Sequence, residues 1–304
     1  LYILDFYNQA VIHNDTRGPK HNAVNAAVRP DRDHYFGRIW RVQHKNAESI
    51  AVPNLATASA SNLVAALEHP NKAVRFTAHR LLWENPTAET VALLRNPPLA
   101  QDAGPWVHHL WLMAAAGKLP DFILNAAVAH DIPEVRKNAM RIAATRTNTP
   151  DGRIKQAILD RLSDPDARVQ LESIVALGSL TVDDATARAL VKIYPTATNS
   201  WVESAMAGVS SKNPLAFISA ALASEKPDEL RGFARVITEQ VAQKAESDPD
   251  NAAAVAMAAA SAPASAGALK VVIFDSLTKS LRPGLTPSWS EPGRAAFQTA
   301  LKSA

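Results

Sequence analysis

The chain has 304 residues, with 32 Lys and Arg against 29 Asp and Glu, for a formal net charge of +3. It has no cysteine, which excludes disulfides, thiol chemistry, Cys-based zinc sites and covalent c-type haem within these residues. No run of about 18 consecutive apolar residues occurs, so no membrane span is read in it, and 47% hydrophobic with 20% charged residues is the composition of folded globular material.

The first residue is Leu, not Met, and lies in a strand-like run, so the chain reads as a fragment whose natural N-terminus is expected upstream. Leu1 to Tyr7 and Ala10-Val11-Ile12 are rich in β-branched and aromatic residues, as strands are. His13 to His34 is polar, with Gly18-Pro19, Arg29-Pro30 and several Asn, which is loop chemistry. Gly37 to Val42 reads as a short strand with Ile39 and Trp40 on opposite faces. Two or three strands bury too little to stand alone. On their own, residues 1–46 are expected to be poorly ordered or an extended arm, completing a sheet whose other strands lie upstream or in a partner.

This segment also holds four of the nine His, at 13, 21, 34 and 44. Asp15, Asp31 and Asp33 are the oxygen ligands a calcium ion would choose, and His13 and His34 stand beside them. The competing reading, which is preferred, gives the Asp and Asn to turns and leaves the His on the surface, with no metal.

From about residue 61 the pattern changes. Pro residues punctuate Ala- and Leu-rich segments of helical periodicity, and a Pro is tolerated in the first turn of a helix but not inside it. An internal repeat sits on this background. Val74-Arg75-x-x-Ala78 recurs as Val135-Arg136-x-x-Ala139 and Leu230-Arg231-x-x-Ala234, and Val169 to Ser173 keeps the spacing with Gln170 and Ser173 substituted. Degenerate copies begin at Trp106 and Trp201, giving intervals of 32, 29, 34, 32 and 29 residues, each one antiparallel helix pair. The apolar residue and the small residue four further on share a helix face, so one fills the layer between repeats while the other admits the neighbouring helix. His69-Pro70-Asn71 and Asp164-Pro165-Asp166 supply the turn and N-cap before two of these helices. Asn251 to Leu281 reads as a seventh, capping unit, and 283–304 as a linker with a short helix.

The Val-Arg-x-x-Ala pattern resembles HEAT repeats over 61–282. Asp5-Phe6-Tyr7-Asn8, His13-Asn14-Asp15 and Arg32-Asp33-His34 leading into Gly37-Arg38-Ile39-Trp40-Arg41-Val42 resemble the end of the propeller in the membrane-bound dehydrogenase group of Planctomycetes and Verrucomicrobia. That group is similar to quinoprotein sugar and sorbosone dehydrogenases. The resemblance implies a mainly α chain, a HEAT-like solenoid (61–282) preceded by the last strands of an incomplete propeller (1–46) and a linker (47–60). It implies PQQ and haem c in the parent, none of it bound by this chain, and a periplasmic or secreted location. It places Arg32, Asp33 and His34 near the active-site mouth. The bulk of the propeller and any CxxCH motif are absent.

His108-His109 are adjacent on a helix and point apart, so they cannot chelate one metal from a single face. Arg75, Arg136 and Arg231 could form a cationic ladder for phosphate, or each could pair with an acid of a neighbouring repeat. The near-neutral charge and the interruptions at Val107, Gln170 and Val202 favour pairing, so no nucleic-acid partner is expected. No Gly-rich phosphate loop, G-x-S-x-G or H-E-x-x-H occurs. The expected role is a monomeric, non-catalytic scaffold whose concave face takes a protein partner or adjacent domain, with a stand-alone interaction scaffold as the alternative.

Overall fold

The structure, a computed structural model, describes residues 1–5, 37–48, 50–96, 98, 102–146, 152–197 and 199–280, with isolated positions at 291, 295 and 298. Ala10 to Ile12, the acidic loop and nearly all of 283–304 lie outside the described residues. The chain divides into two compact units, Leu1–Pro53 and Asn54–Ala304.

In the first unit, β1 (Tyr2–Asp5) pairs antiparallel with β2 (Arg38–Arg41), in the register Tyr2 to Arg41, Ile3 to Trp40, Leu4 to Ile39 and Asp5 to Arg38. The ladder runs one pair further, with Leu1 and Val42 exchanging backbone hydrogen bonds at 3.0 and 2.8 Å. These two segments are therefore not an extended arm. Their β-branched and aromatic content is sufficient for local pairing. It forms no core, because the apolar side chains of both faces stay exposed, from 46% at Ile3 to 82% at Leu1. At one end Asp5 is gripped by Trp40 Nε1 at 3.0 Å and Arg38 Nε at 3.5 Å.

The second unit has fourteen α-helices among the described residues. Seven form one layer: α2 (Lys72–Glu84), α4 (Ala103–Ala115), α6 (Pro133–Thr145), α8 (Ala167–Ser179), α10 (Ser200–Ser210), α12 (Arg231–Gln243) and α14 (Gly267–Ser280). The other layer is α1 (Ala60–Ala66), α3 (Ala88–Leu93), α5 (Asp121–Val128), α7 (Gly152–Asp160), α9 (Asp184–Ile193), α11 (Pro214–Leu222) and α13 (Pro249–Ser261). Even-numbered helices pack on one another in chain order, and in the other layer α9, α11 and α13 do the same. Each pair leaves an apolar face that only its neighbours can cover, which is why the core is continuous.

The local causes are legible. Asn71, Asp166, Asp183, Asn199, Asn213 and Asp248 each accept a backbone N–H in the first turn of the helix that follows. Pro133, Pro214 and Pro249 open α6, α11 and α13. Helix α4 ends at Gly117, whose φ of 64° lets Lys118 N–H reach Met113 O and Gly117 N–H reach Ala114 O.

The repeat signature is the core of the layer. Val74, Ala78, Val135, Ala139, Val169, Leu230 and Ala234 are all buried. Ser173 is tolerated in an Ala position because its hydroxyl donates to Val169 O at 2.8 Å within its own helix. The equivalence fails at one position. Leu230 closes a 3-10 turn (Pro227–Leu230) and Arg231 opens α12, so Arg231 is exposed and donates to Asp228 O of its own turn. In the seventh unit, Ala252, Ala253, Ala256 and Ala259 let α13 lie close to α11 and α14. Among the described residues no single helix is long and apolar enough to cross a membrane, and α13 and α14 meet at a 117° bend.

Candidate functional site

The seams between successive even-numbered helices are built from the same sequence positions, yet the chain closes them differently. Between α6 and α8, Arg136 is buried. Its Nε and Nη2 donate to Asp164 Oδ2 and Oδ1, both at 2.7 Å, and Nη1 donates to His130 O and Asp131 O at 2.8 Å. Burial opposes ionisation of Asp164, but the Arg136 hydrogen bonds and the Asp166 N–H hold its carboxyl below the usual carboxylate range. Around this pair, Arg141 Nε reaches Glu172 at 2.6 Å and Arg168 Nη2 reaches Glu134 at 2.9 Å. The acids of this seam are thus committed to arginines across it; of the three signature arginines, Arg136 makes the pairing expected from the sequence, while Arg231 pairs within its own turn and Arg75 has no carboxylate partner among the described residues.

Among the described residues the seam between α2 and α4 has no such carboxylate. Arg75 Nη1 donates to His69 O at 2.7 Å and Pro70 O at 2.9 Å, as Arg136 does in its own turn. Arg75 Nε is shielded from solvent and has no acceptor. Two imidazoles close the seam instead. His79 Nδ1 and His108 Nδ1 lie 3.1 Å apart, so one carries the hydrogen and the other accepts it. Burial, then His79 and then Arg75, push the His108 imidazole down to about 4, and burial lowers His79. His109 points elsewhere, as adjacency on a helix requires. It is buried, its Nε2 is unpartnered, and burial pushes it down to about 4.

Aromatic rings frame the imidazole pair. Phe76 meets His108 edge-on at 5.3 Å, and Trp83 lies 5.7 Å from His79. Lys72 Nζ sits 5.2 Å above the Phe76 ring. Phe76 is 54% and Trp83 48% exposed, large values for rings on a helix whose other face is core. Trp83 also lines an apolar cavity of about 180 Å³ with Leu82, Val91, Leu94, Leu112 and Met113. The cluster escaped the sequence reading, although the signal was present. Once Val74 and Ala78 fix the buried face of α2, residues 72, 76, 79 and 83 fall on one stripe at spacings of four, three and four.

Elsewhere, α9 and α11 border a wider groove of about 1050 Å³, whose wall mixes Asp184, Arg188, Lys192 and Glu225. Among the described residues no group of three or more His, Asp or Glu converges closely enough to hold a metal ion. Arg32, Asp33 and His34, and the oxygen ligands Asp15 and Asp31, lie outside the described residues.

Residues 120–210 match the HEAT-repeat family, and residues 1–46 match a domain of unknown function (DUF7133). No curated protein matches the chain. Among solved structures, an engineered protein is 20% identical at a TM-score of 0.35, covering 80% of this chain and 95% of that one. A designed armadillo repeat protein is 16% identical at 0.32, covering 81% and 99%. A second engineered protein is 18% identical at 0.30, covering 81% and 98%. None of these proteins is described as a dehydrogenase. The chain is a mainly helical repeat array, HEAT-like over 120–210, with a short two-stranded N-terminal sheet.

Proposed function

We propose that the helical array is the non-catalytic scaffold of a secreted or periplasmic quinoprotein-like sugar dehydrogenase, holding a β-propeller relative to an electron-transfer domain or partner. The observation that carries this reading is the N-terminal hairpin. Two paired strands with apolar residues exposed on both faces bury too little to stand alone, which supports a larger β body around them, and their residues are those that resemble a propeller end. The chain has no cysteine for a covalently held haem, and among the described residues no group of metal ligands gathers. PQQ and haem c are, in this reading, held elsewhere in the parent. Arg32, Asp33 and His34 keep their proposed place near the substrate mouth.

The test is made on the full-length parent and on a deletion of 54–304. With PQQ supplied, aldose oxidation by an artificial dye is expected to survive the deletion, while reduction of the natural cytochrome acceptor is lost. Loss of neither activity, or no dye-linked activity in the parent, overturns the reading.

A stand-alone protein-interaction scaffold is the second reading, and the self-contained core from Asn54 onward favours it. A nucleic-acid role is disfavoured, because Arg136, Arg141 and Arg168 are neutralised by Asp164, Glu172 and Glu134.

A further inference from the structure

The exposed stripe of α2 combines three things that rarely meet by chance on a helix. It has two large exposed rings, Phe76 and Trp83. It has a surplus of positive charge: among the described residues, of Lys72, Arg75 and Arg80 only Arg80 has a carboxylate partner, both oxygens of Glu84 at 2.9 Å. At its C-terminal end, Trp83 borders the apolar cavity of about 180 Å³, room for one leucine or phenylalanine side chain. Interfaces draw most of their affinity from such an arrangement, an apolar anchor in a socket with charged groups beside it.

We propose that the α2 stripe docks a short acidic segment of a partner protein, seating one apolar side chain beside Trp83 and its carboxylates along Lys72 and Arg75. The occupant follows from charge complementarity. Among the described residues no carboxylate pairs with Lys72 or Arg75, whereas Arg136 in the α6–α8 seam has Asp164. The eleven steps from Lys72 to Trp83 span about 16 Å at the helical rise, which an extended peptide covers in about five residues. The apolar anchor and the first acid of the partner are therefore separated by about that number. A nucleic acid would need cations continuing onto the neighbouring seam, and the arginines next met there, Arg141 on α6 and Arg168 on α8, are matched by acids. The inference rests on the array being an interaction scaffold. The activity assays on the parent test that reading without any peptide, so either can fail alone.

The probe is a fluorescein-labelled Phe-Gly-Ser-Gly-Ser-Asp-Glu-Asp peptide, together with the same residues in reverse order, titrated onto the full chain at low salt. Saturable binding of either is expected, weakened at least fivefold by Lys72→Glu, Phe76→Ala and Trp83→Ala, and by replacing the peptide's Phe with Ala. Phe122→Ala, which removes an exposed ring from α5, leaves it unchanged. Lys72→Glu alters only an exposed side chain, so it tests charge without threatening the fold. The proposal is overturned if neither peptide binds, if all variants bind alike, or if an oligothymidylate displaces the peptide at equal concentration.

Discussion

Replacing Asp164 by Ala removes the only carboxylate that touches Arg136 among the described residues, and both side chains are almost wholly withdrawn from water, at 7% and 0% exposure. The guanidinium keeps two backbone carbonyls at 2.8 Å, which hold Nη1 but supply no counter-charge. Breaking a buried pair from one side costs about 3–5 kcal/mol, and the surviving carbonyls place this case near 3 kcal/mol. Arg136→Met is expected to cost a similar amount, offset in part because Asp164 keeps the Asp166 N–H and lies 3.7 Å from Arg161. The double variant Arg136→Met/Asp164→Leu removes both charges and refills the space. It should lie within about 1–2 kcal/mol of the parent, a coupling of at least about 2 kcal/mol. Urea unfolding followed by far-UV circular dichroism gives the totals. Amide exchange on α6 and α8 shows whether the opening is local, as a repeat array permits. A single variant within 1 kcal/mol of the parent, or a double variant equal to the sum of the singles, would refute the reasoning.

Other expectations follow from the same structure. Burial holds the His108 and His109 imidazoles at about 4 in the folded chain against 6.5 when unfolded, so between those values the unfolded chain binds more protons and stability is lost as the pH is lowered, by up to about 3 kcal/mol per imidazole. Melting from pH 7.5 to 4.5 should show the loss, and His109→Leu should flatten it; an unchanged slope would contradict the assignment. Gly117→Ala places a side chain at φ 64° and should cost about 1 kcal/mol, read as a lowered melting temperature with an unchanged helical signal. Residues 54–304 expressed without the hairpin should keep the parent's helical signal and melt within a few degrees of it; cooperative loss of helix would show that the first unit supports the second.

The helical layers were readable because a HEAT-like repeat writes its core into local spacing. Val74 and Ala78, or Val135 and Ala139, lie on one face wherever the helix goes, and Pro and Asx residues mark its start. What stayed hidden depended on contacts between helices. Nothing in His79 or His108 alone announces that their Nδ1 atoms meet, since the pairing depends on how α2 and α4 stack. The failure at Arg231 has a similar origin: its spacing matches the signature, but Pro227 opens a 3-10 turn that delays the helix start, turning the side chain outward. For the hairpin, alternation gave the strands but not their pairing, which joins residues 41 positions apart.

The turn residue five positions before each signature explains why one seam has a salt bridge and another does not. His69 and His130 accept the N–H two residues on, at 3.0 and 3.1 Å, and Asp164 does the same at 3.0 Å. An imidazole therefore closes the turn as well as a carboxylate, but when neutral it cannot balance an arginine from the preceding repeat. His130 faces no such demand, because the preceding repeat has Val107 in the Arg position. Asp164 answers Arg136. Arg75 is the exception: among the described residues no carboxylate pairs with it, and its Nε has no acceptor. Arg75→Met should therefore cost at least about 1 kcal/mol less than Arg136→Met, because no buried counter-charge is left behind. Urea unfolding of the two variants gives the difference. Equal losses at the two positions would show that the acid in the following repeat does not set the worth of the ladder arginine.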